Sequence, residues 1–154
     1  METGFKVLDG MTKMPITVPS SMSVGECART MVKHNVGSLL VVDNGQLKGI
    51  LTEGDLTYRV IAKNLSPDTV VAKDVMTADL ITMSPDMDIY DAIVQMNNFD
   101  VRHAPVLHNG KLVGFLTQKD ILKIQPDLFE VIVDKYHVRE ENEKPIYGDI
   151  KLIE

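Results

Sequence analysis

The chain has 154 residues, 44% of them hydrophobic and 25% charged, the proportions of a globular protein with room for one ordinary domain or two very small ones sharing a core. A net charge of −6 and a pI of about 5.2 repel phosphate backbones and argue against nucleic acid as a partner. One cysteine excludes an intrachain disulfide and a Cys-x-x-Cys motif, apolar runs such as "SLLVV" are too short for a bilayer, and "METGFKVLDG" has no signal-peptide core, so a cytoplasmic protein away from membranes is expected.

The first ordered run begins at Asp9 with "DGMT", followed by the short β-prone stretch "PITV". Ser23 with Glu26 forms a capping-box pair, and Val24, Cys27, Ala28 and Met31 fall on one helical stripe, so a helix is predicted from there to about Asn35. "SLLVVDNGQLKGIL" predicts a hairpin. Its Asn44-Gly45 pair suits a type I′ turn, in which both central residues need positive φ. Thr52 then opens a second helix. "NLSPDTVVAK" is a linker, and from Asp74 the whole order recurs.

The recurrence is gapless at a shift of about 65 residues. Met11-Thr12 pairs with Met76-Thr77, Asn44-Gly45 with Asn109-Gly110, Gly49 with Gly114, Thr52 with Thr117 and Asp55 with Asp120. In the second copy "LITM" is the β-prone run, and Asp88 with Asp91 sits at the helix start. Ile89, Ala92, Ile93 and Met96 form its stripe, and its helix is predicted to end near Asp100. The predicted class is α+β: two β-α-β-β-α repeats, each marginal alone, packed through their sheets about a pseudo-two-fold axis. The division is a first repeat over 5–63, a linker over 64–73, a second repeat over 74–125 and a tail over 126–154. The tail has a helix-compatible apolar stripe from Leu128 to Tyr136, then a charged stretch containing "REENEK".

Each copy closes on the same pattern, "GILTEGDL" and "GFLTQKDI". Thr at an N-cap with Asp at N3 is a reciprocal cap, and acid in a first turn also suits the helix dipole. The same residues form a nucleoside grip: a Thr hydroxyl near a helix start can meet a phosphate, and a carboxylate accepts from the two hydroxyls of a ribose. Both roles can coexist at Thr52 and Asp55, and at Thr117 and Asp120.

Two copies that open on Asp-x-Met-Thr, turn at Asn-Gly and close on Gly-h-h-Thr-x-x-Asp-h, where h is apolar, resemble a tandem pair of CBS domains, the cystathionine β-synthase type module, over roughly residues 5–125. The resemblance implies a regulatory sensor that binds AMP, ADP, ATP or S-adenosylmethionine between the repeats. It also implies a homodimer, a regulated partner protein and no required cofactor. By that likeness Arg102 and His103 point at ligand phosphates, Ala104 and Pro105 line the base pocket, and Ser84, with Pro19 in the first copy, approaches the nucleoside. The first copy departs from this pattern: Gly37-Ser38 stands where the second has Arg102-His103, and Gly54 where it has Lys119. The second copy therefore supplies more phosphate-binding charge, Lys119 included, while Ser38 keeps a polar contact.

No Walker-type loop, His-rich metal set or nucleophile–base pair is present, so no enzyme is expected. Cys27, matched by Ala92, reads as an inert core thiol, and the nine methionines as fillers of core gaps and interfaces. The alternative is a protein-interaction or dimerisation module whose clefts are empty.

Overall fold

The computed structural model describes residues 1–134. In chain order the elements are α1 (Val7–Gly10), β1 (Thr17–Val18), α2 (Val24–His34), β2 (Ser38–Asp43), β3 (Gln46–Thr52) and α3 (Glu53–Leu56). A π-helical turn over Thr57–Ile61 continues α3. Then follow α4 (Ala72–Val75), α5 (Ile89–Asn98), β4 (His103–His108), β5 (Lys111–Thr117) and α6 (Gln118–Ile124). This is the predicted α+β arrangement of two repeats.

The helix-start signals act in part: Ser23 and Asp88 cap their helices, but neither pair closes the reciprocal box. Ser23 Oγ accepts from the Glu26 amide at 3.3 Å, and Asp88 accepts from the Tyr90 amide at 2.8 Å. The two helices unwind into left-handed residues, Asn35 at φ 52° and Asp100 at φ 56°. Val24, Cys27 and Met31, and Ile89, Ala92, Ile93 and Met96, are buried. Asn44 and Gly45 take φ of 50° and 74°, Asn109 and Gly110 51° and 76°, the positive pair that a type I′ turn requires. The first strands are weaker. "PITV" yields the two residues of β1, parallel to β2, and "LITM" only a single parallel bridge between Met83 and Val106.

The repeats are tied by exchange. Thr12 and Phe115 trade backbone hydrogen bonds of 2.8 and 2.9 Å, and Ile50 and Thr77 trade two of 2.9 Å. Each Met-Thr segment therefore edges the sheet of the other repeat. The core follows the same exchange: Val7 and Met11 are buried with the second repeat, Ala72 and Val75 with the first. Asp9 and Asp74 cap the single turns α1 and α4, accepting from the amides of Lys6 at 2.7 Å and Val71 at 3.2 Å.

This crossing explains the glycine of each closing motif. A Cβ on Gly49 would lie 2.7 Å from both Met76 Sδ and the Thr77 carbonyl oxygen. One on Gly114 would run into Met11 and come within 3.0 Å of the Thr12 carbonyl oxygen. The Met-Thr and the Gly-h-h-Thr-x-x-Asp motifs are thus two halves of one contact. Beyond α6, Pro126–Leu128 forms a 3-10 turn and residues 129–134 are helical, with Leu128 and Ile132 buried in the second core. The remainder of the expected helix and the charged stretch lie outside the described residues.

Candidate functional site

The reciprocal cap read into Thr-x-x-Asp forms in both copies. Thr52 Oγ1 accepts from the Asp55 amide at 3.1 Å, while Asp55 Oδ2 accepts from the Thr52 amide at 2.9 Å and its hydroxyl at 3.1 Å. In the second copy the corresponding distances are 3.1, 3.0 and 2.8 Å. The cap uses Oδ2. Oδ1 of Asp55 meets Arg59 Nε at 3.6 Å, and Oδ1 of Asp120 meets Lys123 Nζ at 3.9 Å. Those contacts are long, so Oδ1 retains capacity to accept from a diol.

Each grip opens into a cleft walled by the other repeat. The Asp55 cleft, about 370 Å³, combines Thr52 and Asp55 with Thr77, Asp79–Ile81, Phe99, Val101, His103 and Pro105. The Asp120 cleft, about 380 Å³, combines Thr117 and Asp120 with Thr12, Met14–Ile16, His34, Val36, Ser38 and Leu40. The residue shift that aligns the repeats converts one lining into the other, so the pseudo-two-fold axis relates the two clefts. Their volumes fall in the range of small-ligand sites, with apolar walls and a few polar groups. Both share lining residues with a larger groove of about 940 Å³, which Glu53, Arg102, His103 and Lys119 also line.

The comparisons with known proteins match this geometry. The model of the family described as "CBS domain" matches twice, at residues 6–62 and 72–127. The chain belongs to the CBS domain family. An uncharacterized protein of Methanopyrus kandleri is 34% identical to this CBS pair over 122 residues, 78% of this chain and 62% of that protein. The chain thus spans under two thirds of that relative's length. The crystal structure of an uncharacterized conserved protein from Pyrococcus horikoshii has a TM-score of 0.74 at 32% identity, covering 80% of this chain and 94% of that one. The CBS domain pair of protein MJ0100, solved in complex with 5′-methylthioadenosine and S-adenosyl-L-methionine, has a TM-score of 0.71 at 30% identity, covering 78% and 94%.

Within the CBS pair the candidate residues separate. Thr52, Asp55, His103 and Pro105 meet in one cleft, and Thr117, Asp120 and Ser38 in the other. Arg102 and Lys119 are exposed and line the groove between them. Ala104 is fully buried in the second core behind the cleft wall. Ser84 and Pro19 sit in exposed turns, their carbonyls accepting from the amides of Met87 and Met22, and neither lines the two clefts or the groove.

His103 is a residue of the second repeat that faces the grip of the first. Burial lowers its ionisation below the ordinary imidazole range; its own backbone and the Asp55 carboxylate pull the other way, and Arg102 adds to the lowering. The imidazole also leans on Phe115, with ring centroids 5.5 Å apart. Burial, with Glu26 beside it, pushes the Cys27 thiol up to about 11, so Cys27 is the inert core thiol expected.

Several lining residues escaped the sequence reading. Residues 14–16 and 79–81 follow the Met-Thr crossings, and nothing in their composition marks them; only the aligned positions of the repeats do. Arg59 is another. Its Nη1 donates to the carbonyls of Val75 at 2.9 Å and Met76 at 3.3 Å, clipping the crossing segment beside Asp55. Among the described residues no group of His, Cys, Asp and Glu is placed to hold a metal, and no helix is long and apolar enough to cross a membrane.

Proposed function

We propose that this CBS pair is a regulatory, non-enzymatic sensor that binds adenosine-type ligands, such as AMP, ADP, ATP or S-adenosylmethionine, in the clefts between its repeats. The observation that carries the reading is the pair of symmetry-related clefts, each with a Thr-Asp grip whose carboxylate caps its helix through Oδ2 and keeps Oδ1 for a ribose. The apolar walls suit a base, and the groove beyond carries Arg102 and Lys119 for anionic groups. The MJ0100 pair, solved with two adenosine-type ligands, supports the same class of ligand here. In this reading the module acts as a cytoplasmic homodimer, with the exposed Tyr58 and Ile61 offering apolar surface for association, and signals to a partner protein by shifting the arrangement of its repeats.

A ligand at one hundred times its dissociation constant adds about 2.7 kcal/mol. At about 2–4 °C per kcal/mol for a chain of this size, the melting temperature should rise by roughly 5–11 °C. A panel of AMP, ADP, ATP, S-adenosylmethionine and 5′-methylthioadenosine tests this. No shift with any of them removes the sensor reading and leaves an interaction module with empty clefts. That second reading draws on one observation, the absence of charge at Gly37-Ser38 where the second repeat has Arg102-His103.

A further inference from the structure

The two clefts share a grip but differ at the end where they run into the groove. His103 lines the Asp55 cleft, and Arg102 stands next to it in the groove. Their counterparts toward the Asp120 cleft are Ser38 and Gly37. The missing side chain of Gly37 is replaced by an acid. The Glu53 amide donates to the Gly37 carbonyl at 3.0 Å, and the Glu53 carboxyl folds directly over Gly37, with its Cδ 3.1 Å from where a Cβ would stand. In the second repeat the same backbone bond, Gln118 amide to Arg102 carbonyl at 2.9 Å, carries a neutral side chain, and Gln118 Nε2 turns away to Asn97 Oδ1. One cleft therefore opens toward a guanidinium and an imidazole, the other toward a carboxylate. Lys119, like Arg102 and Glu53, lines the groove without lining either cleft, and among the described residues it has no contact that turns it toward one of them as Glu53 is turned over Gly37.

We propose that the clefts take different ligands: the Asp55 cleft a phosphorylated adenine nucleotide, whose phosphate meets Arg102 and His103, and the Asp120 cleft a phosphate-free adenosine-type nucleoside, because Glu53 over Gly37 repels a phosphate there. The assignment rests on the sensor reading above and deepens it. The sequence alone leaves open which grip the extra charge of the second repeat serves. Packing hands that charge across the axis.

Isothermal titration of the full chain with AMP and with adenosine tests it. AMP should fill one site per chain. Asp55→Asn should weaken AMP and leave adenosine, whereas Asp120→Asn should weaken adenosine and leave AMP. Arg102 is exposed, so Arg102→Gln keeps the fold; it should weaken AMP by roughly tenfold or more, the size of a lost charge-assisted hydrogen bond, and leave adenosine unchanged. Glu53, also exposed, gives the gain-of-function arm: Glu53→Gln should admit a second AMP. AMP binding that survives Asp55→Asn and is lost in Asp120→Asn overturns the assignment alone, as do two equal AMP sites in the parent. Binding of neither AMP nor adenosine overturns the assignment alone if another ligand of the melting panel still stabilises the chain, and overturns the sensor reading with it if none does.

Discussion

Gly49→Ala tests the interlock between the repeats. The new methyl would stand 2.7 Å from Met76 Sδ and 2.7 Å from the Thr77 carbonyl oxygen. The Met76 side chain can swing aside. The Thr77 carbonyl cannot move without opening the bridge in which it accepts the Ile50 amide at 2.9 Å and Thr77 returns the bond at 2.9 Å. Two backbone hydrogen bonds of about 0.5–1.5 kcal/mol net give a loss of about 1–3 kcal/mol, the same size as overpacking in other cores. At about 2 kcal/mol the melting temperature falls by roughly 4–8 °C. The internal control is Gly54→Ala, where the nearest atoms stand 3.6 Å away and φ is ordinary. There the smaller unfolded-state entropy should stabilise by about 0.4–1 kcal/mol. Thermal unfolding followed by circular dichroism reads both. If Gly49→Ala melts within about 1 °C of the parent, less than 1 kcal/mol would produce, the interlock is not the reason for this glycine.

Thr117→Val removes the hydroxyl that accepts the Asp120 amide and should cost about 1 kcal/mol in urea unfolding, while Thr117→Ser should restore most of it. Arg59→Met should cost about 1 kcal/mol through its two lost carbonyl contacts, a low value for charge-assisted bonds because the side chain is 46% exposed. Ile124→Met, at the equivalent position of the second repeat, removes no such clip and should cost less in the same assay. Burial raises the Asp88 carboxyl, but hydrogen bonds from the Tyr90 amide and from the Thr3 hydroxyl and amide outweigh it and hold it below the usual range. A depressed folded value means stability that is present above the unfolded pKa of about 3.9 and lost as pH falls through the folded one. The stability gap between the parent and Asp88→Asn should therefore be full at neutral pH and shrink on acidification, and a gap that widens would contradict the sign.

The sequence by itself determined the elements and the Thr-x-x-Asp caps, because their causes are local. A Thr at N-cap finds the amide three residues on, an Asn-Gly pair accepts positive φ, and an apolar stripe at helical spacing must be buried. These constraints hold twice, at Thr52 and Thr117 and at Asn44 and Asn109, so the duplication was legible without a structure. Tertiary structure decided which repeat each segment serves. Nothing local says that Met11-Thr12 edges β5, that Met76-Thr77 edges β3, or that His103 faces Asp55 from across the axis. Those pairings depend on closing a long loop against a distant sheet, and a glycine read as part of a motif turns out to be the space into which the other repeat's chain must fit. The charge of each cleft is set by the same packing. Glu53 bears on the Asp120 cleft because it folds over Gly37, a contact that only the folded chain creates.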